Sequence, residues 1–459
     1  MTRGINTRFV KSPHRSTGMI LGFFAGRCYS CGVFRSRDST AQISARGAIV
    51  LCVWAAGSVC FTSLVAAPAS DWPQLLGPQR DGVYAGSLPA KTWPKEGPPV
   101  VWQREVGQGF AGPAVSGNRL ILFHRLQDRA VVECLNATTG EEIWKADYPT
   151  DYRDDFGFDD GPRAVPTIAA GRVFTYGAEG RLSCWKLETG EPLWSTDAVK
   201  EFESKKGFFG RAAAPLVDAG LVIFMPGGRA GAGVVAVDAA NGQVRWRATG
   251  DEASYASPTM ATIQGRRILL ALTREALMAL EPANGKILFR YPWRPRENAS
   301  VSAATPLVIG DRIFLSACYG AEASLLRFKD SGPEKIWSRD DVLSNHYANS
   351  VHHEGFLYGW HGRQEQGCEL RCVELQTGKI RWSESGLKAG SLILAGNELL
   401  VLTERGLLLR APASPEGFKP TANAQVLPSD VRAFPALANG RFFARSKDRL
   451  RCLDLRAGP

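Results

Sequence analysis

The chain has 459 residues, of which 44% are hydrophobic and 22% charged, with 48 Gly and 27 Pro; this globular, turn-rich composition excludes a disordered or collagen-like polymer. The net charge of +10 invites a nucleic-acid reading, but about +7 of it lies in residues 1–46, where eight Lys or Arg face the single acid Asp38. The remainder is close to neutral, which argues against a nucleic-acid partner.

In chain order, the basic head (Arg3, Arg8, Lys11, Arg15, Arg27, Arg35, Arg37, Arg46) leads into the uncharged run GAIVLCVWAAGSVCFTSLVAAPAS at 47–70. A positive region, an apolar region and small residues, in that order, form a secretory signal, with Ala67-Pro68-Ala69 as a cleavage site. The alternative is an uncleaved N-terminal membrane anchor, because a run of that length suffices to cross a bilayer. Both readings export the folded part, to the periplasm or beyond. Residues 1–69 are therefore read as a targeting segment and 70–459 as one domain. Cys28 and Cys31 form a CxxC, but Gly32 stands where a haem-attachment motif needs His, and the residues before Cys60 match a lipobox poorly.

From residue 100 onward a pattern recurs: an apolar strand, a turn containing Gly, and a strand that reaches an aromatic residue. The copies run CLNATTGEEIW to Trp144, CWKLETGEPLW to Trp194, AVDAANGQVRW to Trp246, ALEPANGKILF to Phe289, LRFKDSGPEKIW to Trp337 and CVELQTGKIRW to Trp382. Their spacings of 50, 52, 43, 48 and 45 residues belong to propeller blades. A hairpin precedes each copy, and eight such hairpins begin near Gly112, Val165, Ala214, Ser257, Thr305, Asn349, Ser391 and Phe434. The last repeat, RLRCLDLRAGP, stops before a fourth strand, whereas PPVVWQREV around Trp102 reads as an outer strand with no hairpin of its own. Joining the two closes the ring and removes the exposed sheet edges. The expected fold is all-β, an eight-bladed β-propeller of four-stranded blades closed by an N-terminal strand.

Cys134, Cys184, Cys372 and Cys452 occupy one repeat position that is Ala at 236 and 279, the mark of a small buried strand residue. The aromatics of the repeat are expected between blades, and the glycines at the turn before the outer strand.

The recurring TG-xxx-W turn resembles the pyrrolo-quinoline quinone (PQQ) repeat family over about residues 71–459, and the opening DWPQLLGPQRDGV is similar to the start of many exported bacterial members. The resemblance implies the propeller. For function it implies two things: quinoprotein alcohol dehydrogenases that use PQQ with calcium, and BamB-like scaffolds of outer-membrane assembly that bind no quinone. Quinoprotein dehydrogenases carry a vicinal Cys-Cys pair at the cofactor, and no two cysteines are adjacent here.

The loops that lead into the innermost strands surround one mouth of a propeller's channel. They offer Phe110, Arg163, Arg211, Tyr255, His346, Tyr347, Lys388 and Arg432 as a ligand site, whose basic groups favour an anion. The loop DYRDDFGFDDGPRAVPT holds Asp151, Asp154, Asp155, Asp159 and Asp160; its acids either coordinate a hard cation or pair with the nearby arginines. His352 and His353 point to opposite faces of a strand, so no metal site is expected. PGGRAGAG at 226–233 reads as a hairpin loop, since it lacks the Lys-Ser/Thr and helix of a phosphate loop. The leading expectation is an exported, monomeric binding or scaffold module for a cell-envelope protein or an anionic small molecule at the channel mouth. The alternative is a PQQ-dependent oxidoreductase with Asp159 or Asp160 as base; exposed aromatics also admit a polysaccharide.

Overall fold

The protein, described here from a computed structural model, divides into two units, Met1–Leu64 and Val65–Pro459. Residues 70–86, 88 and 93–456 are described, all in the second unit. The segment read as a targeting signal, with its cleavage site and Cys28, Cys31, Cys52 and Cys60, lies outside them.

Eight antiparallel sheets form the blades of a ring. Blade 1 is typical, with strands Ala114–Ser116, Arg119–Leu126, Arg129–Asn136 and Glu142–Pro149 from the channel outward. The middle strands are covered on both faces by neighbouring blades and are apolar almost throughout, as in Ala276–Leu280, whose five residues are all buried. Outer strands face solvent on one side and alternate, so that Trp144 is buried between exposed Ile143 and Lys145. Blade 8 is completed across the ends of the chain: Val100–Glu105 pairs with Arg449–Asp454, bringing Trp102 opposite Cys452. The expected closure is therefore present. Regular helix among the described residues amounts to Ala198–Phe202 and one short turn at Gln364–Gln366.

The repeat motif is the joint between blades. Trp144 stands opposite Cys134 in the sheet, and just beyond the pair a bulge shifts the register. Its indole N–H donates to the Leu187 carbonyl of blade 2 at 2.9 Å, and its ring covers Gly190, where a Cβ would lie 2.5 Å from the ring. Gly190 also has φ +74°, a conformation that L side chains rarely adopt. The same joint recurs from Trp102 to Ala137, Trp194 to Ala239, Trp246 to Pro282 and Trp337 to Leu375. At the joints of Trp102, Trp144, Trp194 and Trp246 the ring has a small residue across from it in its own blade and a glycine against it in the next; Trp337 keeps the glycine, Gly378, but faces Leu325.

The Cys or Ala position of the repeat is that small residue. Cys184, Cys372 and Cys452 face Trp194, Trp382 and Trp102, while Ala236 and Ala279 face Trp246 and Phe289. All six cysteines of the described residues are free and buried, and burial pushes the Cys134 thiol up to about 11 and that of Cys184 to about 12. The folded propeller should therefore leave these thiols unreactive towards a disulfide reagent at pH 8, and unfolding in urea should expose them together. Cys134→Ala should cost less than about 1.5 kcal/mol in a urea melt, because the volume change is small at a position that already tolerates Ala.

The opening segment has a role that its sequence did not announce. It enters the channel from the face that carries the hairpin turns: Ser70 accepts a hydrogen bond from Asn439 N, and Trp72 pairs with Val115 of blade 1 through two backbone bonds of 2.8 and 2.9 Å. The chain turns under the opposite mouth, where Leu75 and Leu76 cluster with Val165 and Ala214. It then returns as Val83–Tyr84, which runs parallel to Leu394 and Ala395 of blade 7. At the bend Arg80 is buried and donates to the Ala214, Pro215 and Pro258 carbonyls on the inner edges of blades 3 and 4. The strap thus bonds to the inner edges of blades 1, 3, 4 and 7.

Candidate functional site

Above the strap, the mouth of the channel is a cup of about 540 Å³ with Leu75 in its lining. Six of the eight expected residues line it: Phe110, Arg163, Tyr255, His346, Tyr347 and Arg432. Arg211 is turned into the wall, where it donates to Ser204 O at 2.7 Å and Glu179 O at 3.0 Å. Lys388 is exposed and stands outside the lining.

Neither Asp159 nor Asp160 lines the cup. Asp159 Oδ1 accepts the Gly161 N–H at 2.7 Å, and Asp160 Oδ1 accepts the Asp154 N–H at 2.8 Å. Their loop is held by its own acids. The buried Asp154 carboxylate accepts backbone N–H groups from Phe156 and Phe158 and pairs with Arg163 Nη2 at 3.1 Å. Asp155 pairs with Lys206 Nζ at 2.5 Å, tying this loop to the next one inward, residues 203–213. The acidic loop is therefore cross-linked by its neighbouring cations. Among the described residues no three His, Cys, Asp or Glu converge to hold a metal ion.

Tying the two loops together brings out residues that no repeat pattern marks. Phe156 and Phe158 remain 58% and 48% exposed at the lip, and their rings lie 5.3 and 6.2 Å from Phe209, which in turn sits 5.8 Å from Tyr255. The Arg163 guanidinium rests over Phe110 at 5.5 Å, and that of Arg432 over Phe158 at 5.4 Å. One side of the cup is an aromatic wall.

The other side is polar and electrically matched. His346 Nε2 meets the Tyr319 hydroxyl at 2.7 Å, while its Nδ1 contacts Gln364 Oε1. The Arg363 guanidinium lies over the Tyr319 ring at 4.5 Å, with its Nε 3.5 Å from Glu365 Oε2. Tyr347 donates to Glu404 at 2.8 Å, and the same carboxylate oxygen pairs with Arg432 Nε at 3.2 Å. Burial holds the His346 imidazole below its ordinary range and pushes Tyr319 up to about 12, so both are neutral near pH 7. The mouth arginines already carry partners: Asp154 for Arg163, Glu404 for Arg432 and Glu365 for Arg363.

Burial also holds His124, His352 and His361 below 6.5. A depressed pKa means that the unfolded chain binds more protons as the pH falls, so the stability these imidazoles confer is complete above 6.5 and lost below it. The melting temperature should therefore fall between pH 7.5 and 5.5, and His346→Gln should flatten that fall.

Residues 128–384 match the family described as outer membrane protein assembly factor BamB, which is more than half of the chain. The chain belongs to this family. Among solved structures, BamB from Moraxella catarrhalis superposes with a TM-score of 0.57 at 15% identity, over 78% of this chain and 99% of that one. A quinohemoprotein alcohol dehydrogenase from Comamonas testosteroni gives 0.62 at 14% identity, over 85% and 81%. The computationally designed protein Ika8 gives 0.52 at 11%, over 77% and 98%. At such identities these likenesses speak for the fold alone, and a BamB-family fold can be shared by a scaffold and a dehydrogenase. No curated protein matches the chain.

PQQ with calcium would bring three carboxylates and a divalent cation into the cup. Its three carboxylates would need free cations, and the arginines at the mouth are already paired. Among the described residues no three carboxylates converge to form a ready-made calcium site.

Proposed function

We propose that this BamB-family chain is a binding propeller of the cell envelope, one that holds a ligand in the cup at the channel mouth, and not a quinone-dependent oxidoreductase. The observation that carries the reading is the charge matching of the cup: Arg163, Arg363 and Arg432 each pair with a carboxylate, and the exposed rings of Phe156 and Phe158 stand at its lip. A pocket of this size, apolar on one side with a few convergent polar groups, is the usual form of a small-ligand site. The anionic ligand expected from the arginines loses its support for the same reason, since it would have to compete with Asp154 and Glu404.

Calorimetric titration with PQQ, with and without calcium, should give no heat, and a dye-linked alcohol oxidation assay no turnover. Micromolar binding accompanied by dye reduction would reinstate the oxidoreductase.

A protein partner is the second reading, and the rim of the ring favours it. Val100, Ile143, Leu193, Val244 and Ile287 are exposed one or two residues before the aromatic on five successive outer strands. The family description, an assembly factor, points the same way.

A further inference from the structure

The chemistry of the two walls narrows the ligand class, on the reading that the cup is a binding site. A net anion would be opposed by Glu297 and Glu365 at the lip and would find each mouth arginine occupied. A net cation would meet three guanidinium groups. What both walls can serve at once is a neutral molecule with an apolar face and an edge rich in hydroxyls. The exposed rings of Phe156 and Phe158 provide a platform for the face. Opposite them, the carboxylates of Glu297 and Glu365, the Gln364 amide and the Tyr319–His346 pair supply acceptors and donors to the edge. We propose that the cup binds a neutral saccharide. The ligand would be a short oligosaccharide or the end of a longer chain, because the strap lies under the cup, with Leu75 in its lining and packed with Leu76, Val165 and Ala214.

The test is titration of the purified protein with cellohexaose, maltohexaose and chitohexaose. Hexagalacturonate and a chitosan hexamer serve as charged counterparts, a phenylalanine-containing hexapeptide as a peptide control, and Nile red as a neutral reporter of the cup. At least one neutral hexaose should bind, and the F156A/F158A double variant should weaken it about tenfold or more without lowering the melting temperature, since both rings are exposed. Glu297→Gln should weaken binding more mildly. Failure of every neutral hexaose, or tighter binding of a charged oligomer or the peptide, would overturn the saccharide assignment. If Nile red still binds in that case, and is lost in the double variant, the cup stands as a ligand site and only the ligand class is wrong. If Nile red does not bind either, the reading of the cup as a site fails with it.

Discussion

Arg80→Ala should destabilise the propeller by about 3 kcal/mol in equilibrium urea unfolding, a large effect for a residue far from any expected site. The guanidinium reaches the inner edges of two blades at once, donating to Ala214 O and Pro258 O, and also takes Gln74 Oε1 as an acceptor for its Nε. Removing it leaves buried carbonyls unpaired; Pro215 O keeps the Thr167 hydroxyl, but the other two lose a donor. Two terms set the size of the effect. Orphaned carbonyls and a cavity cost stability, while relief of a buried charge without a carboxylate partner returns part of it. Arg80→Met keeps the aliphatic stem and should therefore cost less than Arg80→Ala. The difference between the two variants measures the packing, and what remains measures the lost donors. A loss below about 0.5 kcal/mol in Arg80→Ala would show that the strap is a passenger in the channel and not part of the ring's cohesion.

Trp144→Ala should cost about 3–5 kcal/mol, in the range for removing a buried tryptophan. The ring fills the joint between blades 1 and 2, covers Gly190 and donates to Leu187 O. Trp144→Phe keeps most of the ring and should lose roughly 1–2 kcal/mol, mainly the hydrogen bond. Gly190→Ala attacks the same joint from the other side, through a positive φ and a Cβ driven into the indole. The two changes are not independent. With alanine at 144 the space over Gly190 is empty, so Gly190→Ala should be milder in that background, and a double-mutant cycle should return a coupling above about 0.5 kcal/mol. Additive losses would mean that the glycine is required for its backbone alone.

Blade number and ring closure were legible in the sequence because most joints are written locally, by an aromatic residue, a glycine and a small residue at a nearly constant offset. Trp102 without a hairpin and Cys452 without a fourth strand could be matched as two halves of one blade. The strap was not legible as a strap. DWPQLLGPQRDGV has no strand period, and what it does depends on Val115, Ala214, Pro258 and Leu394, residues 40 to more than 300 positions away. At the cup, Phe110, Arg163, Tyr255, His346, Tyr347 and Arg432 were found because each directly precedes an innermost strand, whose position the repeat dictates. Phe156, Phe158 and Phe209 were not, since their placement follows from Asp154 holding one loop and Lys206 tying it to the next. Arg211 has the right position in its blade, but Ser204 and Glu179 draw its guanidinium away.

The strap has one more consequence, for how the molecule is oriented. Ser70 meets Asn439, and at the other end Leu455 N donates to Gly440 O in the same hairpin turn, so both ends of the described chain sit on one face. The cup opens on the other. The propeller is built like a goblet, with both ends of its described chain gathered at the foot and the bowl on the opposite face.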